Sequence, residues 1–338
     1  MVFLQRGENM FNLLLEKPDR LMYQIFCCLQ ETNPYPLAKL AIKLEKSPAV
    51  LRRTIRQWQK NSYNRSTGIG FYVTKEDIRG IYANEHASLF FSTLLHRSEA
   101  FQLLLKVLDN PYASGVQLQR EMHLSPASFQ RRVRQLEPLL QHYHLQLSFK
   151  KMPALKGTEM QIRWFTLLVS LLADPPFHLS PINWWHRYEE ICLHRPLWLD
   201  TWQPAITHYY QPPFQLNERG STFLWRQLIG LEPLWMNQEM AETLSFALHA
   251  HTSLATSYLL EVQQHIHRIH CCCSFFSGTL FFEPTSISKE VHRLTQSFRL
   301  LLPHYDTLLA QHPELPMLYQ RILKRYQSFA NELMVSED

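Results

Sequence analysis

One stretch of this chain repeats itself without a gap, 78 residues further on, and that repeat constrains the fold more than any other feature. Residues 40–58 read LAIKLEKSPAVLRRTIRQW and residues 118–136 read LQREMHLSPASFQRRVRQL. Ser47, Pro48, Ala49, Arg53, Arg56 and Gln57 recur as Ser125, Pro126, Ala127, Arg131, Arg134 and Gln135. The apolar positions recur as well, with Leu40, Leu44, Leu51, Ile55 and Trp58 answered by Leu118, Met122, Phe129, Val133 and Leu136. Each copy predicts a short helix (about 37–45 and 115–123), a turn and a second helix. Ser47 or Ser125 stands where an N-cap oxygen accepts from the first free backbone donors. Proline follows at the first helical position, where its missing N–H costs nothing. The second helix then carries apolar residues four and three apart, a stripe that must be buried. This is the grammar of a helix-turn-helix, written twice.

The face opposite that stripe is basic. At 100° per residue from Leu51, residues Arg52, Arg53 and Arg56 fall on the far side, with Ala49 and Lys60. The second copy places Ala127, Gln130, Arg131 and Arg134 there, with Arg132 on the flank. A small residue near the helix N-terminus allows close approach to a major groove, and arginine grips phosphate or bonds bidentately to guanine. Residues 64–74, NRSTGIGFYVT, and 145–157, LQLSFKKMPALKG, read as the hairpins that would follow each recognition helix. Arg65, Lys150 and Lys151 are then the phosphate contacts of two wings. Double-stranded DNA is the expected partner, bound through Ser47, Ala49, Arg52, Arg53, Arg56, Lys60 and Arg65 in one unit. Ser125, Ala127, Gln130, Arg131, Arg132, Arg134, Lys150 and Lys151 serve in the other.

Charge follows the same division. Residues 1–165 hold 23 Lys and Arg against 13 Asp and Glu, and residues 166–338 hold 11 against 16. A basic front joined to an acidic rear suits a polyanion-binding part attached to a sensing or assembly part. Only 9 residues are Gly against 20 Pro, which fits helices punctuated by prolines rather than a sheet or a phosphate-cradling loop. The rear reads as all-α: short helices between proline stops over 174–216, helix over 220–270, and two helices over 285–334 broken near Pro313 to Pro316. Its apolar and aromatic density predicts a homodimer contact within 174–338.

Over roughly residues 10–173 the sequence resembles the Mga/AtxA group of virulence and carbon-responsive transcription regulators of Gram-positive bacteria. The repeat carries the resemblance, together with LKGTEMQIRWFTLLVSLL at 155–172. There Leu155, Gly157, Glu159, Ile162, Arg163 and Phe165 are similar to the segment leading out of the second winged domain of that family. The resemblance implies a mainly α chain with two tandem winged helix-turn-helix domains, at 1–75 and 76–165, and an all-α PRD-like sensing and dimerisation region at 166–338. It also implies a phosphotransferase-system phosphocarrier as a partner, with His249 and His251 the candidate phosphorylation sites. A third module like the EIIB component is not expected, because no βαβ pattern closes the sequence.

Other function classes find little support. Cys27 and Cys28, Cys192, and Cys271 to Cys273 form no disulfide framework, and with no export signal they predict reduced thiols in a cytoplasm. No run of about 18 apolar residues offers a membrane span. His265, His267 and His270 beside the cysteine triplet invite a metal, but the spacing matches no zinc motif, so no metal or cofactor is expected. No nucleotide-binding, zinc-protease or nucleophile-elbow motif is present, so an enzyme is not expected. Two further readings remain open: a plasmid-type replication initiator with tandem winged helices, and a protein-interaction module whose basic helices touch no DNA.

Overall fold

A computed structural model of the chain describes residues 10–60, 69–81, 86–173, 218–228, 230, 232–279 and 287–335. It is mainly helical and divides into two compact units. Among the described residues, the front unit comprises 10–157 and 165–173, and the rear unit 158–164 and 218–335.

The front unit opens with a 3-10 turn, Met10–Leu14, and helix α1, Lys17–Glu31. A two-residue strand β1, Tyr35–Pro36, leads into α2, Leu37–Lys43, and the recognition helix α3, Pro48–Lys60. Strands β2, Gly70–Val73, and β3, Asp77–Ile81, form an antiparallel hairpin, and β1 pairs with β3, giving the order β1-β3-β2. Helix α4, His86–His96, follows. The second copy comprises α5, Glu99–Asp109, α6, Gly115–Glu121, α7, Pro126–His142, and strands β4, Gln146–Leu147, and β5, Leu155–Lys156. A third strand is reduced here to one bond, from the Ala154 N–H to the Pro111 carbonyl at 2.8 Å. Both copies are winged helices.

The repeat extends to backbone detail. Glu45 and His123, 78 residues apart, both adopt the left-handed conformation, with φ of 52° and 53°. After each, the Lys46 and Leu124 N–H groups reach back to the Ala41 and Gln119 carbonyls, both at 3.0 Å. This six-to-one bond is the Schellman closure of a helix, which usually uses glycine at the left-handed position. Leu51, Ile55 and Trp58, and Phe129, Val133 and Leu136, are all buried, as the stripe requires.

The expected boundary at residue 75 is not where the packing divides. Strand β3 runs past it, and α4 sends Phe90 against Phe26, Trp58 and Phe71, with Phe91 against Tyr23, completing the first core. The 3-10 turn instead joins the second core, where Phe11 lies 6.0 Å from Tyr143 and 6.1 Å from Phe165. Each copy draws an element from the far side of the expected boundary into its core. The expected boundary at 165 also moves. Helix α8, Glu159–Ala173, gives its first turns to the rear unit and the remainder to the front.

In the rear unit, α9, Glu218–Leu228, α10, Gln238–His251, and α11, Thr256–Phe275, precede α12, Lys289–Leu301, α13, Tyr305–Gln311, and α14, Leu315–Val335. The expected pair of helices after 285 is therefore three, because Pro303 and a left-handed His304 interrupt the chain before Tyr305 as well. The first turns of α8 dock through Trp164, stacked 4.4 Å from Phe276, and through Gln161, which exchanges two 2.9 Å bonds with the Ser277 backbone. The expected short helices at 174–216, and Cys192, lie outside the described residues.

Helix α11 turns a polar face into this core. Fully buried His270 meets the Tyr319 hydroxyl at 2.6 Å, and that hydroxyl lies 3.1 Å from the hydroxyl of Tyr305. Phe298 closes the ring cluster around the imidazole. His267 reaches the Trp235 carbonyl at 3.3 Å. Among the described residues, no three His, Cys, Asp or Glu side chains converge as metal ligands. Burial pushes the thiols of Cys271 and Cys273 well up and that of Cys272 to about 12, which keeps all three protonated.

Two outcomes are expected. Replacing Glu45 or His123 by Gly should raise the urea midpoint, with a gain of up to about 1 kcal/mol, because glycine adopts φ near 50° without the strain of a Cβ. The second concerns acid. Burial lowers the pKa of His267 to about 4 and of His270 to about 3. Their neutral forms are the folded ones, so the stability they confer is complete above about pH 6.5 and is lost as pH falls toward 4. At pH 5 each should cost roughly 2 kcal/mol. Thermal melts from pH 7 to pH 5 should show the loss, and His267→Asn should shrink it.

Candidate nucleic-acid interface

The two recognition helices begin in the same way. The Ser47 hydroxyl accepts from Val50 N–H at 3.3 Å and the Ser125 hydroxyl from Ser128 N–H at 3.2 Å. These caps occupy the donors that proline leaves free at the helix start, so Ser47 and Ser125 hold the helices before they touch any ligand. Ala49, Arg53, Arg56 and Lys60 are exposed on α3, and Ala127, Gln130, Arg131 and Arg134 on α7. Arg53 and Arg56 thus have exposed counterparts in Arg131 and Arg134 at the matching repeat positions.

Two of the expected contacts are engaged elsewhere. Arg132 is a correction: its side chain is only 12% exposed and lies 2.9 Å from both Glu16 and Glu99. It also donates to Gln135 at 3.0 Å. A guanidinium neutralised by two carboxylates on the inner side of the helix is a structural tie. Helical angle alone placed it on the flank, where burial against α1 and α5 decides its role. Arg52 is half-buried and donates to the Lys75 carbonyl at 3.0 Å, which braces the tip of the first wing.

The wings differ in charge. In the first, β2 and β3 are joined at Thr74 to Glu76, and the expected turn residues at 64–68 lie outside the described residues. The Thr74 hydroxyl donates to Asp77 at 2.8 Å and accepts from the Asp77 N–H at 2.9 Å. Hydrogen bonds from Thr74 and Arg79 lower the Asp77 pKa, and Arg79 is in turn paired with that carboxylate at 3.1 Å. Lys75 at this tip, missed as a wing cation, is accompanied by Glu76 and Asp77, and the local charge cancels. Thr-Lys-Glu-Asp was the turn signal that could have placed it. Arg65 lies outside the described residues.

In the second wing, Lys150 and Lys151 stand exposed between β4 and β5, with no acidic neighbour in the loop. Phe149 packs 5.5 Å from Phe129 of α7, and Gly115 leaves the room for it: a Cβ there would come within 3.3 Å of the Phe149 ring. The second wing is thus both more positive and fixed to its recognition helix by an apolar contact.

Residues 83–169 match the model of the Mga helix-turn-helix domain. Residues 83–169 thus form a helix-turn-helix domain similar to that of the Mga family. This is the fold of a DNA-binding transcription regulator, and the match covers α4 to α8 with the recognition helix α7 and the basic wing inside it. The first winged helix lies outside that match and is related to the second by the sequence repeat. No curated protein matches the chain.

His249 and His251 sit near the end of α10, which stops at Thr252 rather than continuing as one long apolar helix. Neither is a core histidine. His249 is exposed, and half-buried His251 meets the Ser297 hydroxyl at 2.7 Å. No helix of the described residues is long and apolar enough to cross a membrane.

The position of Arg132 generates a stability prediction. Replacing it with Met removes two charged contacts, and the two carboxylates stand half in solvent, so the loss should be about 1–2 kcal/mol. Urea unfolding should register that loss. The slope of DNA affinity against salt should stay that of the parent, since no phosphate contact is removed.

Proposed function

We propose that the chain is a transcription regulator of the Mga/AtxA type that holds promoter DNA through α3 and α7 together. The observation that carries this reading is the pair of exposed arginines repeated at matching positions, Arg53 and Arg56 with Arg131 and Arg134, on two winged helices of one compact unit. Two recognition helices suit successive major grooves about 34–36 Å apart. Ala49 and Ala127 allow close approach, and Gln130 joins the base-reading face. Lys150 and Lys151 grip phosphate beside α7, so the second domain supplies the larger share of non-specific affinity.

The rear unit serves assembly and sensing in this reading, acting as a homodimer contact without catalysis, in the cytoplasm. Of the two candidate phosphorylation sites, His249 is the accessible one, and a phosphocarrier of the phosphotransferase system is its proposed partner. A phosphate there would add negative charge to the last turn of α10, where the helix dipole disfavours it, and so would loosen that turn.

The test is direct. Changing Arg53 and Arg56 to Ala should reduce affinity for promoter DNA at least about tenfold while the helical circular dichroism stays unchanged. The pair Arg131 and Arg134 should cost more, because the basic wing sits beside that helix. Fluorescence anisotropy at about 150 mM salt measures both; parental affinity in both double variants would refute the reading.

A further inference from the structure

The repeat makes two equivalent grooves comparable, and they differ in one respect. In the second domain the groove behind the recognition helix is filled by the chain itself. The Gln135 amide donates to the Leu13 and Leu14 carbonyls at 3.1 and 3.2 Å, and Arg132 meets the carboxylates of Glu16 and Glu99. In the first domain the matching positions are Gln57 for Gln135, Thr54 for Arg132 and Trp58 for Leu136. Together with Asp19, Lys60 and Arg97 they line an open cavity of about 380 Å³. No segment of the described chain fills it.

The geometry points to a binding site in this cavity for a small organic carboxylate with an apolar or aromatic body. Its chemistry is read from the filled groove, where side chains of the recognition helix donate to oxygens of the occupant, two carbonyls and a carboxylate. In the open groove Gln57 and Lys60 are exposed donors that make no hydrogen bond or ion pair among the described residues. A carboxylate supplies the missing acceptors. The apolar side is Pro18, exposed beside the buried Trp58 and Met22. Arg97 lies 5.9 Å from the centre of the Trp58 ring and 3.2 Å from Asp19, which ties the indole and the carboxylate to one guanidinium. Burial raises the pKa of Asp19 and Arg97 opposes the rise, which ties that carboxyl to the arginine. Lys60 then leaves the cavity with net positive charge. The volume lies toward the small end of ligand sites, about 300–1,000 Å³, and fits a ring with one carboxylate.

This inference goes beyond the DNA reading and does not rest on it. Benzoate serves as the probe, with benzamide as its uncharged isostere and benzylamine as its cationic counterpart, in calorimetric titrations of the full chain without DNA. Benzoate should bind at one site at least about tenfold more tightly than either. Gln57→Leu and Lys60→Met, both at exposed positions that leave the fold intact, should each weaken benzoate several-fold, whereas Arg134→Ala on the DNA face should leave it unchanged. Benzoate binding no tighter than benzamide, or parental affinity in both Gln57→Leu and Lys60→Met, would overturn the site. Either result leaves the test of the DNA reading standing, since that test reads anisotropy of promoter DNA alone.

Discussion

The front unit depends on a polar clamp at the inner side of α7. Arg132 holds Glu16 and Glu99, and Gln135 holds the carbonyls of Leu13 and Leu14, so the 3-10 turn that leads into the first winged helix is fastened to the recognition helix of the second. The Ser98 hydroxyl, which caps α5, donates to the same Leu14 carbonyl at 2.6 Å. The Arg20 guanidinium collects the carbonyls of Asn12, Leu13 and Leu15 from the other side. A short 3-10 turn has few internal bonds of its own, and these side chains satisfy carbonyls that burial would otherwise strand. The clamp thereby turns two small winged helices into one unit.

Repetition of a motif along the chain does not repeat its surroundings. Both copies keep the cap, the left-handed turn residue and the buried stripe, because these close within the motif through bonds of short sequence separation. What surrounds the motif has diverged. The first wing is fixed by polar bonds, Arg52 to the Lys75 carbonyl and Gln59 to the Phe71 carbonyl, and its tip is charge-neutral. The second is fixed by Phe149 on Phe129 and stays basic. The two basic surfaces are therefore alike in their helices and unlike in their wings, and the second carries the greater positive charge.

The rear unit follows a different rule, placing imidazoles and hydroxyls inside an aromatic core. His270, Tyr319 and Tyr305 form a chain of hydrogen bonds enclosed by rings, and His312 meets Glu314 at 3.2 Å with both side chains buried. Polar groups at such depth are costly to leave unpaired, so these bonds hold the core in one arrangement. The buried cysteines beside them are packing groups, since desolvation suppresses their thiolates.

The sequence by itself determined the elements whose causes are local. The helix-turn-helix pairs, their serine caps, the exposed arginines Arg53, Arg56, Arg131 and Arg134, and the basic turn at Lys150 and Lys151 all follow from spacing, capping and periodicity within a few turns of chain. Mainly α architecture followed from the same periodicity. Only the tertiary structure decided the rest. It took Arg132 out of the DNA face, because a partner 116 residues away in Glu16 and another in Glu99 leave no trace in a helical wheel. It paired Gly70–Val73 with Asp77–Ile81, and Asp77–Ile81 with Tyr35–Pro36, contacts that span stretches no local spacing can read. It joined the two expected domains and left one groove filled and its twin open, because loop closure lets any two segments meet once their buried surfaces match.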